Sequence, residues 1–280
     1  PNLVQINNTV GWQIFNPTAG WGYRYGPSII INPDNSIDMW FASPGNNGAW
    51  DYIKYRRSTD GGKTWTEDID VLIPTPGSRD AFSCCDPGVI KFGGYYYIGY
   101  TSTEDNRGTN NHVYLARASA PTGPYSKWNG SGWGGNNPWP ILSYTGDPGS
   151  FGYGEPSFVL NDNKIYVYFT NIDGDAFTDL AVCEDADDPN WPAKLVNKGH
   201  IIHRPPWLSE DSIDIKYCDS LRRFIGIATH NRMGINSNLI VWQSEDGFFW
   251  QPASFKGARV QYGAHNCGIS GTESGHIDTS

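Results

Sequence analysis

The sequence predicts an all-β chain folded as a five-bladed β-propeller. Two observations carry that prediction: a hairpin phrase that returns five times along 280 residues, and a composition suited to short strands and tight turns. Charged residues make up 18% of the chain and aromatic residues 14%, beside 33 glycines and 19 prolines, and no stretch has the apolar spacing of a long amphipathic helix.

The first copy opens at Gly26-Pro27-Ser28-Ile29-Ile30-Ile31, turns through Asn32-Pro33-Asp34-Asn35 and returns as Ile37-Asp38-Met39-Trp40-Phe41-Ala42-Ser43. The second opens at Asp86-Pro87-Gly88-Val89-Ile90, turns at Gly93-Gly94 and returns as Tyr95-Tyr96-Tyr97-Ile98-Gly99-Tyr100-Thr101-Ser102. The third matches the second in register: Glu155-Pro156-Ser157-Phe158-Val159, a turn at Asn161-Asp162-Asn163, then Lys164-Ile165-Tyr166-Val167-Tyr168-Phe169-Thr170-Asn171. A fourth, more divergent copy runs from Ser212-Ile213-Asp214-Ile215 to Arg223-Phe224-Ile225-Gly226-Ile227-Ala228-Thr229, and a fifth begins at His265-Asn266-Cys267-Gly268. Each is a run of β-branched and aromatic residues around a Gly, Asn or Asp turn, the signature of a hairpin.

The openers fall near residues 26, 86, 155, 214 and 267, leaving room between copies for further strands such as Tyr52–Tyr55, His112–Ala116 and Leu239–Trp242. That spacing fits one four-stranded blade per copy and a single propeller domain over residues 1–280. Strand candidates at Leu3–Ile6 and Gly11–Phe15 are positioned to complete the last blade and close the ring, which removes exposed sheet edges. A two-sheet sandwich is the structural alternative, but it does not call for so regular a period. Ser58-Thr59-Asp60-Gly61-Gly62-Lys63-Thr64-Trp65 matches the Asp-box pattern, and Ser244-Glu245-Asp246-Gly247-Phe248-Phe249-Trp250 is a shortened relative. In both, an Asp that accepts backbone hydrogen bonds across a turn and a Trp packed beneath it stabilise an outer hairpin.

A net charge of −9 argues against nucleic acid or an anionic membrane as partner, and no apolar run is long enough to span a membrane. Five cysteines without paired metal spacing read as buried small hydrophobes. The chain opens on Pro1 with no signal-type segment, as a mature product would. Two Met beside 12 Trp and 16 Tyr resembles the composition of a secreted, carbohydrate-active protein, and the expectation is an extracellular monomer.

In a propeller the first residues of each innermost strand line one channel mouth, so the openers converge although they are far apart in sequence. Gly26, Asp86, Glu155 and, approximately, Asp214 hold those positions, with Asp211 close by. Hydrolysis of a glycosidic bond needs one protonated carboxylic acid for the leaving oxygen and one ionised carboxylate, and crowding like charges in a pocket raises one pKa. Trp21, Arg24 and Tyr25 precede the first inner strand, where aromatic faces stack on sugars and an arginine pairs with carboxylates or hydroxyls. His230 and Arg232 follow the fourth hairpin, His265 opens the fifth copy, and the Gly-rich segment from Trp128 to Trp139 reads as a loop that shapes access.

The phrases around Asp86-Pro87-Gly88-Val89-Ile90 and Gly154-Glu155-Pro156-Ser157-Phe158-Val159, each with its Tyr-rich return strand, resemble the blades of glycoside hydrolase family 43 and its five-bladed relatives in families 32, 62 and 117. The resemblance implies an exo-acting glycosidase, inverting or related, for arabinose, xylose or galactose units of plant or microbial oligo- and polysaccharides. It implies no cofactor beyond a structural calcium in the channel, near which His265 resembles the family's histidine. It also implies three carboxylates from consecutive blades: an Asp base, an Asp that tunes pKa, and a Glu acid. Here the sequence departs from the pattern, since Gly26 stands at the first position. Three readings stay open: Asp86 and Glu155 with a base from elsewhere; Asp86 as base, Glu155 as acid and Asp214 as auxiliary; or a sugar-binding propeller without catalysis.

Overall fold

The computed structural model describes residues 23–46, 49–204, 210–253 and 265–277. Their strands form four antiparallel sheets of four strands, each in simple chain order from the innermost strand outward. The first sheet comprises β1 (Tyr25–Ile31), β2 (Ile37–Pro44), β3 (Asp51–Ser58) and β4 (Ile69–Leu72). The second comprises β5 (Cys85–Phe92), β6 (Tyr95–Ser102), β7 (His112–Ala118) and β8 (Ser126–Lys127), and the third β9 (Gly152–Asn161), β10 (Lys164–Asp173), β11 (Asp175–Cys183) and β12 (Val196–His203). The fourth comprises β13 (Asp214–Cys218), β14 (Arg223–His230), β15 (Asn238–Ser244) and β16 (Gln251–Pro252).

The core lies between successive sheets, where inward faces alternate along each strand. Trp40 and Tyr55 pack with Val89, Tyr96 and Tyr100 between the first and second sheets, and Tyr97, Phe158, Val167 and Trp191 fill the next interface. Tyr166, Tyr168, Ile215 and Phe224 fill the third. Hairpin turns at the end away from the openers use Asn35, Gly93 with Gly94, Asp162 with Asn163, and Arg222, all at positive φ, as tight hairpins require. Both Asp-boxes form at that same end: Asp60 accepts the Lys63 and Thr64 N–H groups at 3.0 and 2.9 Å, and Asp246 accepts those of Phe248 and Phe249 at 2.8 and 2.9 Å. The indoles of Trp65 and Trp250 each donate to a glycine carbonyl beneath, at 2.9 Å. The five cysteines are free thiols, with Cys84, Cys183 and Cys218 buried.

The expected five blades are corrected to four sheets among the described residues. Among the described residues the fifth copy carries no named strand, and its later part is bonded to the other sheets. Gly271 exchanges bonds with Ile29 and Ile31 of β1, Glu273 accepts from Lys91 of β5, Ser274 from Leu160 of β9, and Gly275 from Tyr217 of β13, at 2.7 to 3.3 Å. The segment thus clasps all four described inner strands. Strand candidates Leu3–Ile6 and Gly11–Phe15 lie outside the described residues, and no helix among those described is long and apolar enough to cross a membrane.

Candidate functional site

The openers of the first three blades are each thrown into the channel by a bulge. Asp86 and Pro87 stand together opposite Tyr100, between the pairs Cys85–Thr101 and Gly88–Gly99, while Glu155 and Pro156 stand opposite Phe169, between Gly154–Thr170 and Ser157–Tyr168. Gly26 and Pro27 do the same opposite Phe41. Proline suits the bulge because it has no N–H to leave unpaired, and the residue before it takes a left-handed backbone, with φ of 57° at Gly26, 50° at Asp86 and 52° at Glu155. That conformation is unfavourable for a residue with a Cβ, by about 1–3 kcal/mol, and the surrounding sheet holds Asp86 and Glu155 in it.

Tripeptides 26–28, 86–88, 155–157, 212–214 and 266–268 line a narrow channel neck of about 50 Å³. The fifth opener is Asn266, with φ of 48°. The fourth is Ser212, not Asp214, as the bonds between inner strands reveal. Ser28 Oγ accepts the Val89 N–H at 3.0 Å, Ser157 Oγ accepts that of Ile215 at 2.9 Å, and Asp214 Oδ2 accepts that of Ile269 at 2.8 Å. Asp214 therefore occupies the place of Ser28 and Ser157, two residues past the opener. Its other oxygen takes Lys216 Nζ at 2.6 Å and the Ser157 hydroxyl at 2.7 Å, so the side chain joins strands at the neck.

Above the neck lies a cavity of about 340 Å³ whose walls include Tyr25, Asp86, Thr101, Phe151, Glu155, Thr170, Arg232 and His265. Burial, then the neighbouring Glu155 charge, raises Asp86 to about 7. Burial and the Asp211 charge raise Glu155 as well, while Arg204, the Thr170 hydroxyl and His265 pull it down. The Glu155 charge thus opposes ionisation of Asp86, and the two carboxyl groups titrate as neighbours. Asp211 is also raised by burial, but bonds from His265 and the Asn266 N–H outweigh that and hold it below the usual range; His265 is correspondingly raised. His265 Nδ1 contacts Asp211 Oδ2 directly, and Asn266 N donates to the same oxygen at 2.6 Å.

The remaining sequence candidates separate. Tyr25 reaches the cavity and donates its hydroxyl to buried Asp51 at 2.7 Å; Arg24 instead pairs with Asp68 at 3.1 Å on the flank of the first sheet. Arg232 lines the cavity 3.5 Å from Asp211, whereas His230 faces buried Glu210 at 3.8 Å. Trp21 lies outside the described residues. Among the described residues no three His, Cys, Asp or Glu side chains converge as a cation site.

Sequence reasoning passed over Thr101, Thr170, Arg204 and Asn266. The two threonines had a signal: they occupy one repeat position, in the return strand across from the opener, and each hydroxyl serves its own blade's carboxylate. In the first blade that position is Ala42, so the carboxylate and its hydroxyl partner are lost together. Arg204 had none, since it follows an outer strand and precedes Pro205-Pro206.

No protein-family model matches the chain, and no curated protein does. Similar solved structures include a thermostable family-43 glycoside hydrolase, at TM-score 0.64 and 15% identity over 93% of this chain and 83% of that one. Zg3597, a family 117 glycoside hydrolase of the marine bacterium Zobellia galactanivorans, matches at TM-score 0.61 and 17% identity, over 88% and 73% of the two chains. The GH32 β-fructofuranosidase BmSUC1 of Bombyx mori matches at TM-score 0.60 and 14% identity; 85% of this chain is covered, and it spans only 50% of that enzyme's length. At these identities the likeness is one of architecture: the chain has the β-propeller fold on which these glycoside hydrolases are built.

Proposed function

We propose that the chain is a glycosidase that cleaves a terminal sugar from an oligo- or polysaccharide, with Glu155 as proton donor and Asp86 as the ionised carboxylate. The observation that carries this reading is the matched pair: two half-buried carboxyl groups, presented by the same bulge on neighbouring inner strands, face one sugar-sized cavity with their proton affinities raised together. A glycosidic bond placed between them receives a proton on its leaving oxygen from one. The other activates water or attacks the anomeric carbon. Asp211, held ionised against His265, takes the auxiliary place that the sequence gives to Asp214, because Asp214 is engaged at the neck. Phe151 and Tyr153 supply apolar surface for a sugar face, and Arg232 supplies donors for its hydroxyls. Arabinose, xylose or galactose units and a secreted, monomeric protein are part of the same proposal.

Gly26 and Ala42 favour a second reading, a sugar-binding propeller without turnover, since the first blade supplies neither the carboxylate nor its partner. A screen of polysaccharides and aryl glycosides for released sugar separates the two. Glu155→Gln and Asp86→Asn are each expected to lower kcat on the substrate found by about 100-fold or more while the folded chain still binds the sugar. Full activity in both variants refutes the assignment, and binding without any release by the parent chain selects the second reading.

A further inference from the structure

The two threonine hydroxyls beside the paired carboxylates are served by different donors. In the second blade, Thr101 Oγ1 accepts the backbone N–H of Glu155, the opener of the next blade, at 2.8 Å, and Thr101 in turn bonds Asp86. Thr170 occupies the equivalent place in the third blade and bonds Glu155, but no opener N–H reaches it from the fourth blade among the described residues. Its donor is the guanidinium of Arg204, whose Nη2 lies 3.2 Å from Thr170 Oγ1. The same nitrogen donates to the Phe177 carbonyl at 2.9 Å, and Nη1 donates to the Asp211 carbonyl at 2.7 Å. Arg204 is 97% buried, by its relative exposure of 3%, and among the described residues its guanidinium has no carboxylate oxygen as a hydrogen-bond partner.

A buried cation of this kind needs a reason, since desolvating a guanidinium against neutral carbonyls is unfavourable. Three carboxyl groups surround it: Glu155, Asp211 and Glu210. We propose that Arg204 is a positioning residue for Glu155, a charged donor standing where the repeat elsewhere uses a neutral backbone N–H, which fixes the Thr170 hydroxyl toward the acid and sets how tightly Glu155 holds its proton. The inference rests on the glycosidase reading for its functional meaning but not for its electrostatics.

The other charges facing Glu155 do not replace it. Asp86 and Asp211 are negative when ionised and oppose ionisation of Glu155, and Glu210 acts on Arg204 itself. His265 favours ionisation, but its Nδ1 is bound to Asp211 and its charge is largely matched there, while Arg232 lies 3.5 Å from the same aspartate. Arg204 is the cation whose hydrogen bonds lead to Glu155 through a single hydroxyl.

The test follows the Glu155 carboxyl by NMR of the full chain labelled with 13C at glutamate carboxyl carbons, with Glu155→Gln assigning the signal. Arg204→Met is expected to raise the Glu155 midpoint by about 1 pH unit or more. Arg204→Lys, which keeps the charge without the planar fork, is expected to fall between the parent and Met. An unmoved midpoint in a folded Arg204→Met chain overturns the proposal. If that variant does not fold, Thr170→Val decides: it removes the hydroxyl and leaves the cation, a higher midpoint supports the relay, and an unchanged one overturns it. Where a substrate has been found, the limb of the pH profile assigned to Glu155 moves with the NMR midpoint. A midpoint that moves in a chain that releases no sugar keeps Arg204's role and discards the glycosidase reading. Glu155-dependent hydrolysis with an unmoved midpoint does the reverse.

Discussion

At the scale of single residues, position on a bulge separates carboxylates of similar appearance. Asp86 and Asp214 both stand early in an inner strand. The first precedes a proline at positive φ and faces the cavity, whereas the second lies two residues past its opener and is bonded to Lys216, Ser157 and Ile269. The Asp-Pro and Glu-Pro pairs exposed this difference in the sequence, and the fourth copy hid it because Ser212 carries no proline after it. Burial of Asp86 has a consequence for stability. Its carboxyl titrates at about 7 in the folded chain against an ordinary value of 3.8, so between those values the unfolded chain gives up a proton that the folded chain keeps. Protonation in that window favours the folded state, and the contribution of Asp86 declines as pH rises from 3.8 to about 7 and is level above. Thermal unfolding of Asp86→Asn beside the parent chain is expected to show the variant gaining in relative Tm across that window. A difference independent of pH contradicts the assignment.

At the scale of elements, the connection from β4 to β5 sets where Asp86 begins. It is fastened by a buried ion pair: Lys127 Nζ contacts Asp80 Oδ2 and Thr75 Oγ1, the latter at 2.9 Å, while Asp80 also accepts the Tyr100 hydroxyl at 2.9 Å. Asp80 is fully buried, and Lys127 keeps a tenth of its side chain exposed. Lys127→Met leaves that carboxylate without its cation, and a loss of about 3–5 kcal/mol in unfolding free energy is expected from denaturant titration. The double variant Lys127→Met with Asp80→Leu is expected to recover part of it, since removing both charges is gentler than removing one. The sequence announced the strands of this region through their aromatic and β-branched runs. It did not announce the pair, whose members lie 47 residues apart and meet only once the second sheet has formed.

At the scale of the whole molecule, the sheets are held by the three packed interfaces between successive sheets and by the segment from Gly271 to Ile277 that touches all four inner strands. Gly275 is the tightest point of that clasp: its φ is 77°, and a Cβ there would stand 2.4 Å from the Phe158 carbonyl oxygen. Gly275→Val is expected to destabilise the chain by at least about 2 kcal/mol, read as a lower midpoint in denaturant, through backbone strain and the clash together. A midpoint equal to that of the parent shows the clasp to be dispensable. The repeat was legible because every blade must bury the same inward face and turn at the same end, which stamps one pattern on distant stretches of chain. By itself the sequence determined the propeller architecture, the hairpins, the Asp-boxes and the shared position of Asp86 and Glu155, all consequences of local periodicity and turn chemistry. Only the tertiary structure decided that Gly271 to Ile277 bond to all four inner strands, that Asp211 rather than Asp214 stands with His265, and that Arg204 lies behind Glu155. Those outcomes depend on which groups the packed sheets bring within hydrogen-bond reach after folding, and sequence separation carries no trace of that distance.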